Sequence, residues 1–194
     1  PDLKDSSGAA SSPPDQSDPF AKYALDFDAE KPRYYYDTSL PMHRRMELLV
    51  LDLQKQIVCA LEEQDEGGAG FKFDRWTRDD GQGYGISSIV QDSPVYEKGG
   101  VNISVIHGRL SPGQLKSMRA RKAAGVLDED GEYDFNVAGI SLVIHPRNPM
   151  APTAHANYRY FELFRHDDPE RKPILSWFGG GADLTPSYLF DEDA

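Results

Sequence analysis

The densest group of side chains able to do chemistry lies between Ser141 and Arg159, in the stretch GISLVIHPRNPMAPTAHANYRYFELF that begins at Gly139. Two strand-like runs flank a connection bounded by Pro146, Pro149 and Pro152. Side chains of a strand alternate between faces with period two, so Ser141, Val143 and His145 share one face. On the second run the same rule groups His155, Asn157, Arg159 and Phe161, and the two sets together bring two imidazoles, a hydroxyl, an amide and a guanidinium to one surface. A guanidinium holds a carboxylate through a two-pronged fork, and an amide offers both a donor and an acceptor. Imidazole titrates near neutrality, which makes His155 the candidate general acid–base group.

A half-exposed sheet whose polar residues merely face water would produce the same alternation, and a lone histidine is more often structural or on the surface than catalytic. His145 and His155 also invite a metal reading. They stand ten residues apart on separate segments, unlike the i, i+4 histidine pair of a helical zinc motif, so as a metal signal they are weak.

A second constellation, WFGGGADLTPSYLF, runs from Trp177 to Phe190. Three glycines following a strand-like run lead to the expectation of a turn with unusual dihedrals, close to which a ligand can approach the backbone. Asp183 follows and is expected at that turn, as an acceptor for several N–H donors or as a cap.

Elements must position these groups. Met42, Met46, Leu49, Leu53, Ile57 and Ala60 recur every three or four residues, which predicts an amphipathic helix from Pro41 to Gln64 with that stripe against a core. Ser111, Pro112 and Gln114 form a capping-box pattern that opens a second helix, ending near Gly125. Between them the glycines from Gly67 to Gly85 surround Phe71, Phe73, Arg75 and Trp76, a pattern that reads as turns and mobile backbone. Neither a GK[ST] sequence nor a dinucleotide-type context accompanies them, so a phosphate-cradling loop is not expected. Short runs rich in Val, Ile, Tyr and Phe predict strands at 85–91, 101–107, 139–145, 157–164 and 174–178. Consecutive strands joined by Gly, Pro and Asp turns, with helices outside the run, indicate an α+β fold with an antiparallel sheet.

The chain of 194 residues carries 32 acidic against 21 basic side chains, a formal net charge of −11 and a pI of about 4.8. That sign disfavours nucleic acid and anionic lipid as partners. An anionic ligand must therefore be met by local positive groups. No run approaches the roughly 20 apolar residues of a membrane-spanning helix, and the mean hydropathy of −0.60 sets the expectation of a soluble domain. Cys59 is the only cysteine, which rules out an internal disulfide and a cysteine-based metal or cluster site. Residues 1–19, rich in Ser, Pro, Asp and Gly, are expected to form a disordered acidic leader, and residues 20–194 one domain.

HPRNPMAPTAHANYRYF at His145–Phe161 and WFGGGADLTPSYLFDEDA at Trp177–Ala194 resemble hallmark segments of the oxygen-dependent coproporphyrinogen III oxidases. PMHRRMELLVLDLQKQI, FDRWTRDDGQGYGISSIVQDSPVYEKGGVNISVIHG and GISLVIHP are similar to the same family in the same order, so the likeness extends from Pro41 to Ala194. The resemblance implies a large antiparallel sheet with helices on both faces. It also implies a homodimer, with Ile89–Lys98 matching a segment associated with the dimer contact. The activity it implies is O₂-dependent oxidative decarboxylation of two propionates of coproporphyrinogen III to vinyl groups, giving protoporphyrinogen IX without a cofactor.

Carried over by resemblance, His155 is the proton donor, and Ser141, Asn157, Tyr158 and Arg159 bind the substrate. Asp183 is assigned to the pyrrole N–H groups. A metal is implied only if the chain follows some bacterial members, in which His145 and His155 would hold it; PMHRRMELL and NYRYF read closer to the eukaryotic type. Members of the family occur in mitochondria, plastids or cytoplasm. They extend beyond the motifs found here, so the chain is expected to be a C-terminally incomplete part of the fold, inactive alone. The alternative is a non-catalytic tetrapyrrole-binding or dimer-forming chain of the same fold.

Overall fold

A computed structural model of the chain describes residues 34–120, 125–188 and 190. The leader expected at residues 1–19 lies outside the described residues. After a 3-10 turn at Tyr34–Tyr36 come helix α1 (Met42–Gln64), strands β1 (Lys72–Thr77), β2 (Gly83–Gln91) and β3 (Tyr96–Arg109), helix α2 (Pro112–Met118), and strands β4 (Tyr133–Pro146), β5 (Thr153–Arg165) and β6 (Leu175–Thr185). The six strands form one sheet in sequence order. Every neighbouring pair is antiparallel, which is the arrangement short turns and hairpins allow.

Cross-strand partners share a face, so the register sorts the side chains into two sets. The first face carries Ile86 and Val90 of β2, Val101 and Ile103 of β3, Ala138 and Ile140 of β4, and Tyr160 of β5, all buried. Helix α1 packs on this face, across β3, β4 and β5. Fully buried Gln54 pins it there: its Nε2 lies 2.9 Å from the Ile86 carbonyl oxygen and 2.8 Å from that of Val101. Buried Glu162 of β5 ties in the first turn of α1, with its carboxylate 2.7 Å from His43 Nδ1, 2.8 Å from Asn136 Nδ2 and 2.9 Å from the Tyr160 hydroxyl.

The second face is covered at one end only. There Leu115 of α2 joins Leu127, Tyr133 and Leu163 in a buried cluster, flanked by Phe135 and Leu175. The capping box opens α2 as the sequence predicts: Ser111 Oγ accepts from the Gln114 backbone N–H, and Gln114 Oε1 accepts from that of Ser111. The α-helical part closes at Met118, earlier than the predicted end, and residues 121–124 before Gly125 lie outside the described residues. The architecture is thus α+β, an antiparallel sheet with a helix on each face.

Three expectations need correction. The span of α1 is as predicted, but its most buried side chains are Met46, Leu48, Val50, Leu51, Gln54 and Val58. Of the predicted stripe only Met46 is buried; Leu49, Leu53 and Ile57 are half-buried, and Met42 and Ala60 are exposed. Polar Gln54 stands at the centre of the true contact face, where it bonds strand carbonyls, and apolar counting passes over it. Residues 72–77, expected as loop, form β1, whose ladder with β2 needs backbone groups rather than an apolar pattern. The expected glycine turn at 179–181 does not exist. Gly179, Gly180 and Gly181 run through the middle of β6, paired with Arg159, Tyr158 and Asn157. An extended β5 supplies a complete ladder there, which outweighs the weak strand preference of glycine.

Candidate active site

Alternation along β4 and β5 places the predicted residues where a common surface requires them. Ser141 is the cross-strand partner of Asn157, Gly139 that of Arg159, and Val143 that of His155. On the other side of β5, Asp183 pairs with His155, Gly181 with Asn157 and Gly179 with Arg159. Ser141, His145, His155, Asn157, Arg159 and Asp183 therefore share the second face of the sheet, beyond the area that α2 covers. Tyr158 does not join them. It lies on the α1 face between Ile140 and Gly180, half exposed to solvent, because a residue between two inward neighbours in a strand must point the other way.

Glycine shapes the floor around Arg159. Gly139 and Gly179 flank it on the adjacent strands, so no cross-strand side chain stands beside its stem. A Cβ added at Gly139 would press on Arg159 Cβ at 3.1 Å. Arg159 itself is anchored by its neighbour: Asn157 Oδ1 accepts from both Nε, at 3.2 Å, and Nη2, at 2.9 Å. Two of the five guanidinium N–H groups are occupied, and the others are available to an anion. Among the described residues no carboxylate pairs with Arg159, so the cation is held in place without being neutralised.

The His155–Asp183 contact was not foreseen. His155 Nδ1 lies 2.9 Å from Asp183 Oδ2, and the Thr185 hydroxyl reaches Asp183 Oδ1 at 3.2 Å. The bond from His155 is the main reason that the Asp183 carboxyl is held below its usual range; desolvation opposes it, and the Thr185 hydroxyl and the imidazole's charge add to the lowering. An ionised carboxylate only accepts hydrogen bonds, so Nδ1 must carry the proton, and Nε2 is left as the nitrogen that can exchange one with a ligand. Sequence spacing of 28 residues hid this pair; the register of β5 with β6 makes it.

The surface is recessed in two adjoining places. One recess, of about 470 Å³, is lined by His155, Trp177, Gly179, Gly181 and Asp183; the other, of about 500 Å³, by Trp76, Asn102, Ser104 and Ser141; Asn157 and Arg159 line both. Aromatic rings close one border, with Phe161 stacked between Trp177 at 4.5 Å and Phe135 at 5.8 Å. Trp76, Asn102 and Ser104 also went unnoticed as site residues, although the alternation of Asn102 and Ser104 with Val101, Ile103 and Val105 carries the same period-two signal as β4 and β5.

The two histidines of the metal reading have other partners in this arrangement. His145 Nδ1 faces the Thr153 hydroxyl at 3.3 Å while His155 is engaged by Asp183, and no group of three or more His, Cys, Asp or Glu side chains among the described residues is placed to hold an ion. The surface can instead bind a carboxylate at Arg159, exchange a proton at His155 Nε2, and admit a flat ligand onto the glycine floor.

Known proteins have similar sequences. The chain is 51% identical over 153 residues to the "Oxygen-dependent coproporphyrinogen-III oxidase, mitochondrial" of Homo sapiens, a match covering 79% of this chain and 32% of that protein. It is 46% identical over 156 residues to the "Oxygen-dependent coproporphyrinogen-III oxidase, chloroplastic" of Glycine max, covering 80% and 39%. To the "Coproporphyrinogen-III oxidase 2, chloroplastic" of Arabidopsis thaliana it is also 46% identical over 156 residues, covering 80% and 65%. The chain thus spans about a third of the human relative's length. Residues 45–194 match the family model described as "Coproporphyrinogen III oxidase", and with the sheet and its glycine-floored polar face this places the chain in the coproporphyrinogen III oxidase family.

Proposed function

We propose that this chain supplies the substrate-binding sheet face of an enzyme that oxidatively decarboxylates two propionates of coproporphyrinogen III with O₂, giving protoporphyrinogen IX. The observation that carries this reading is the pairing of an un-neutralised Arg159 with a His155–Asp183 dyad across one glycine-lined surface. Arg159, steadied by Asn157, holds a propionate carboxylate; Ser141, next in register, adds a hydroxyl. The absence of side chains at Gly179 and Gly181 lets the macrocycle lie close to the backbone.

Each arm loses its carboxylate as CO₂ and one β-hydrogen with its electron pair, leaving a vinyl group. O₂ accepts that pair and two protons and leaves as hydrogen peroxide. The porphyrinogen is the reductant, so the reaction requires orientation and proton handling rather than a bound redox group. His155 Nε2 delivers a proton, and Asp183 stabilises the cationic ring in the protonated state. Asp183 is occupied by His155 and Thr185, which favours this supporting role over the direct reception of pyrrole N–H groups. Exposed Ile89 near the end of β2 and exposed Val95 in the β2–β3 connection support a self-association surface in the segment 89–98. No helix among the described residues is long and apolar enough to cross a membrane.

The test is anaerobic titration of the chain with coproporphyrinogen III, followed by O₂-dependent formation of protoporphyrinogen IX by the complete gene product that carries it. Arg159→Ala is expected to weaken binding at least tenfold, the scale of a lost charge-assisted bond. His155→Ala should bind and fail to turn over. Binding by the chain without turnover by the gene product would favour a tetrapyrrole carrier. Equal turnover in wild type and both variants would remove the proposed site.

A further inference from the structure

The polar row that contains Asn157 and Ser141 does not stop at β4. In register it continues from Asn157 to Ser141 on β4, then to Asn102 on β3 and Ser87 on β2. The neighbouring row runs Gly179, Arg159, Gly139, Ser104 and Gly85. Small residues therefore keep the floor low from β6 to β2. Trp76 lies over Gly85, where any Cβ would collide with its indole, and forms the far wall of the recess.

Within this recess Asn102 is an anomaly. Its Oδ1 is buried and has no hydrogen-bond partner, and no bond to its Nδ2 is formed by any described residue. Buried amide groups are almost always paired, and leaving one unpaired costs stability. Core residue Gln54 also has an unpaired oxygen, but its Nε2 holds two strand carbonyls, whereas neither end of the Asn102 amide bonds a described residue. Here it sits directly beside Ser141, two strands and about 10 Å from Asn157, in a cavity that opens onto the Arg159 site.

Taking the tetrapyrrole reading above as its basis, we infer that Asn102 is a second anchoring residue for the substrate: a half-turn of its amide brings the nitrogen to the unpaired buried position now held by Oδ1, and its N–H, with the Ser104 hydroxyl, then holds a propionate other than the one at Arg159. A substrate with several acidic arms can place one at Arg159 and a second over β3 only if donors without countercharge await it there. The Asn102 amide and the Ser104 hydroxyl meet that condition in a protein whose net charge is −11. Two anchors fix the orientation of the ring over the floor, and hence which arm faces His155.

The test uses anaerobic coproporphyrinogen III binding and thermal unfolding of the purified chain, in wild type, Asn102→Leu and Asn102→Asp. The expected result is that Asn102→Leu raises the melting temperature or leaves it unchanged while weakening binding about tenfold, the size of one hydrogen bond. Opposite movement of stability and affinity distinguishes a ligand contact from a structural residue, whose loss lowers both. Asn102→Asp is expected to bind more weakly still, because a carboxylate repels the substrate's own. Wild-type affinity in Asn102→Leu overturns the inference and leaves the Arg159 reading intact. Weak binding in Asn102→Leu restored in Asn102→Asp also overturns it, since the amide would then accept from a pyrrole N–H. Failure of the wild-type chain to bind overturns both readings together.

Discussion

The two faces of the sheet are made by the same strands and solve opposite problems. On the α1 face the polar groups mostly serve the fold: Glu162 is surrounded by His43, Asn136 and Tyr160, and Gln54 holds two strand carbonyls through Nε2, with its Oε1 left unpaired. On the open face Arg159 keeps free donors, His155 keeps a free ring nitrogen, Asn102 is unsatisfied, and glycines stand where cross-strand contacts would otherwise add stability. Period-two alternation lets one strand serve both purposes, because a substitution at one residue leaves the next residue's face untouched. The difference between the faces is thus one of stability on one side and incompletely paired groups on the other, a common mark of binding surfaces.

The largest effect should come from the closed face. Leu51 of α1 is almost wholly buried, and Leu51→Ala should lower stability by about 2–5 kcal/mol, through lost burial and the cavity left behind. Urea unfolding measures this. Affinity of the remaining folded molecules for coproporphyrinogen III should be unchanged, and a drop in affinity without a drop in stability would break the division between the faces.

Glu162→Gln sharpens the same point with a polar group. Burial pushes the Glu162 carboxyl up, but hydrogen bonds from His43, Asn136 and Tyr160 outweigh it, so the folded pKa lies below the usual value. A depressed carboxyl stabilises the fold at pH values above its unfolded pKa of about 4.3. That contribution disappears as pH falls through the lower folded value. The variant should therefore be less stable than wild type by about 1–3 kcal/mol near neutrality, and the gap in urea midpoints should narrow steadily below about pH 4. The same network, with burial as the first cause, pushes the Tyr160 phenol up to about 12, so it remains a donor to Glu162 throughout this range.

The open face could be read from sequence because its signal is a strict alternation. Ser141, His145, His155, Asn157 and Arg159 needed only two correctly placed strands to fall on one surface. What escaped was whatever depended on a partner distant in sequence. Asp183 reaches His155 only through the β5–β6 register, Gly179–Gly181 are held extended by β5, and Gln54 looks like an exposed helix residue until β2 and β3 lie beneath it. Tyr158 shows the limit of carrying over a contiguous triplet, since its two neighbours face the site and it faces the other way.

Glycine on the open face allows a substitution with the opposite sign. Gly181 has no positive φ, and an added Cβ there meets nothing within 4 Å. Gly181→Val should therefore stabilise the strand by about 0.5–1 kcal/mol, from reduced chain entropy and better strand preference. It should also weaken coproporphyrinogen III binding, because the isopropyl group would occupy the floor beside Asn157. A more stable protein with unchanged affinity would show that the ligand does not approach β6.

The smallest effect concerns the dyad, and it tests whether the open face is organised at all before a ligand arrives. Both partners are substantially exposed, with His155 at 41% and Asp183 at 57% side-chain exposure, so His155→Ala should leave the melting temperature nearly unchanged. The carboxyl titration of Asp183 should respond all the same. In the wild type its ¹³C resonance should titrate below the ordinary aspartate value because His155 donates to it; in His155→Ala the midpoint should rise toward about 3.9. The sign follows from linkage: a depressed carboxyl favours the folded state above its unfolded pKa and loses that advantage as pH falls through the folded one. Identical midpoints in both proteins would mean that the imidazole and carboxylate do not meet in solution. His155 Nε2 would then have to be oriented by the substrate, and the open face would be a scaffold completed by its ligand rather than a preformed site.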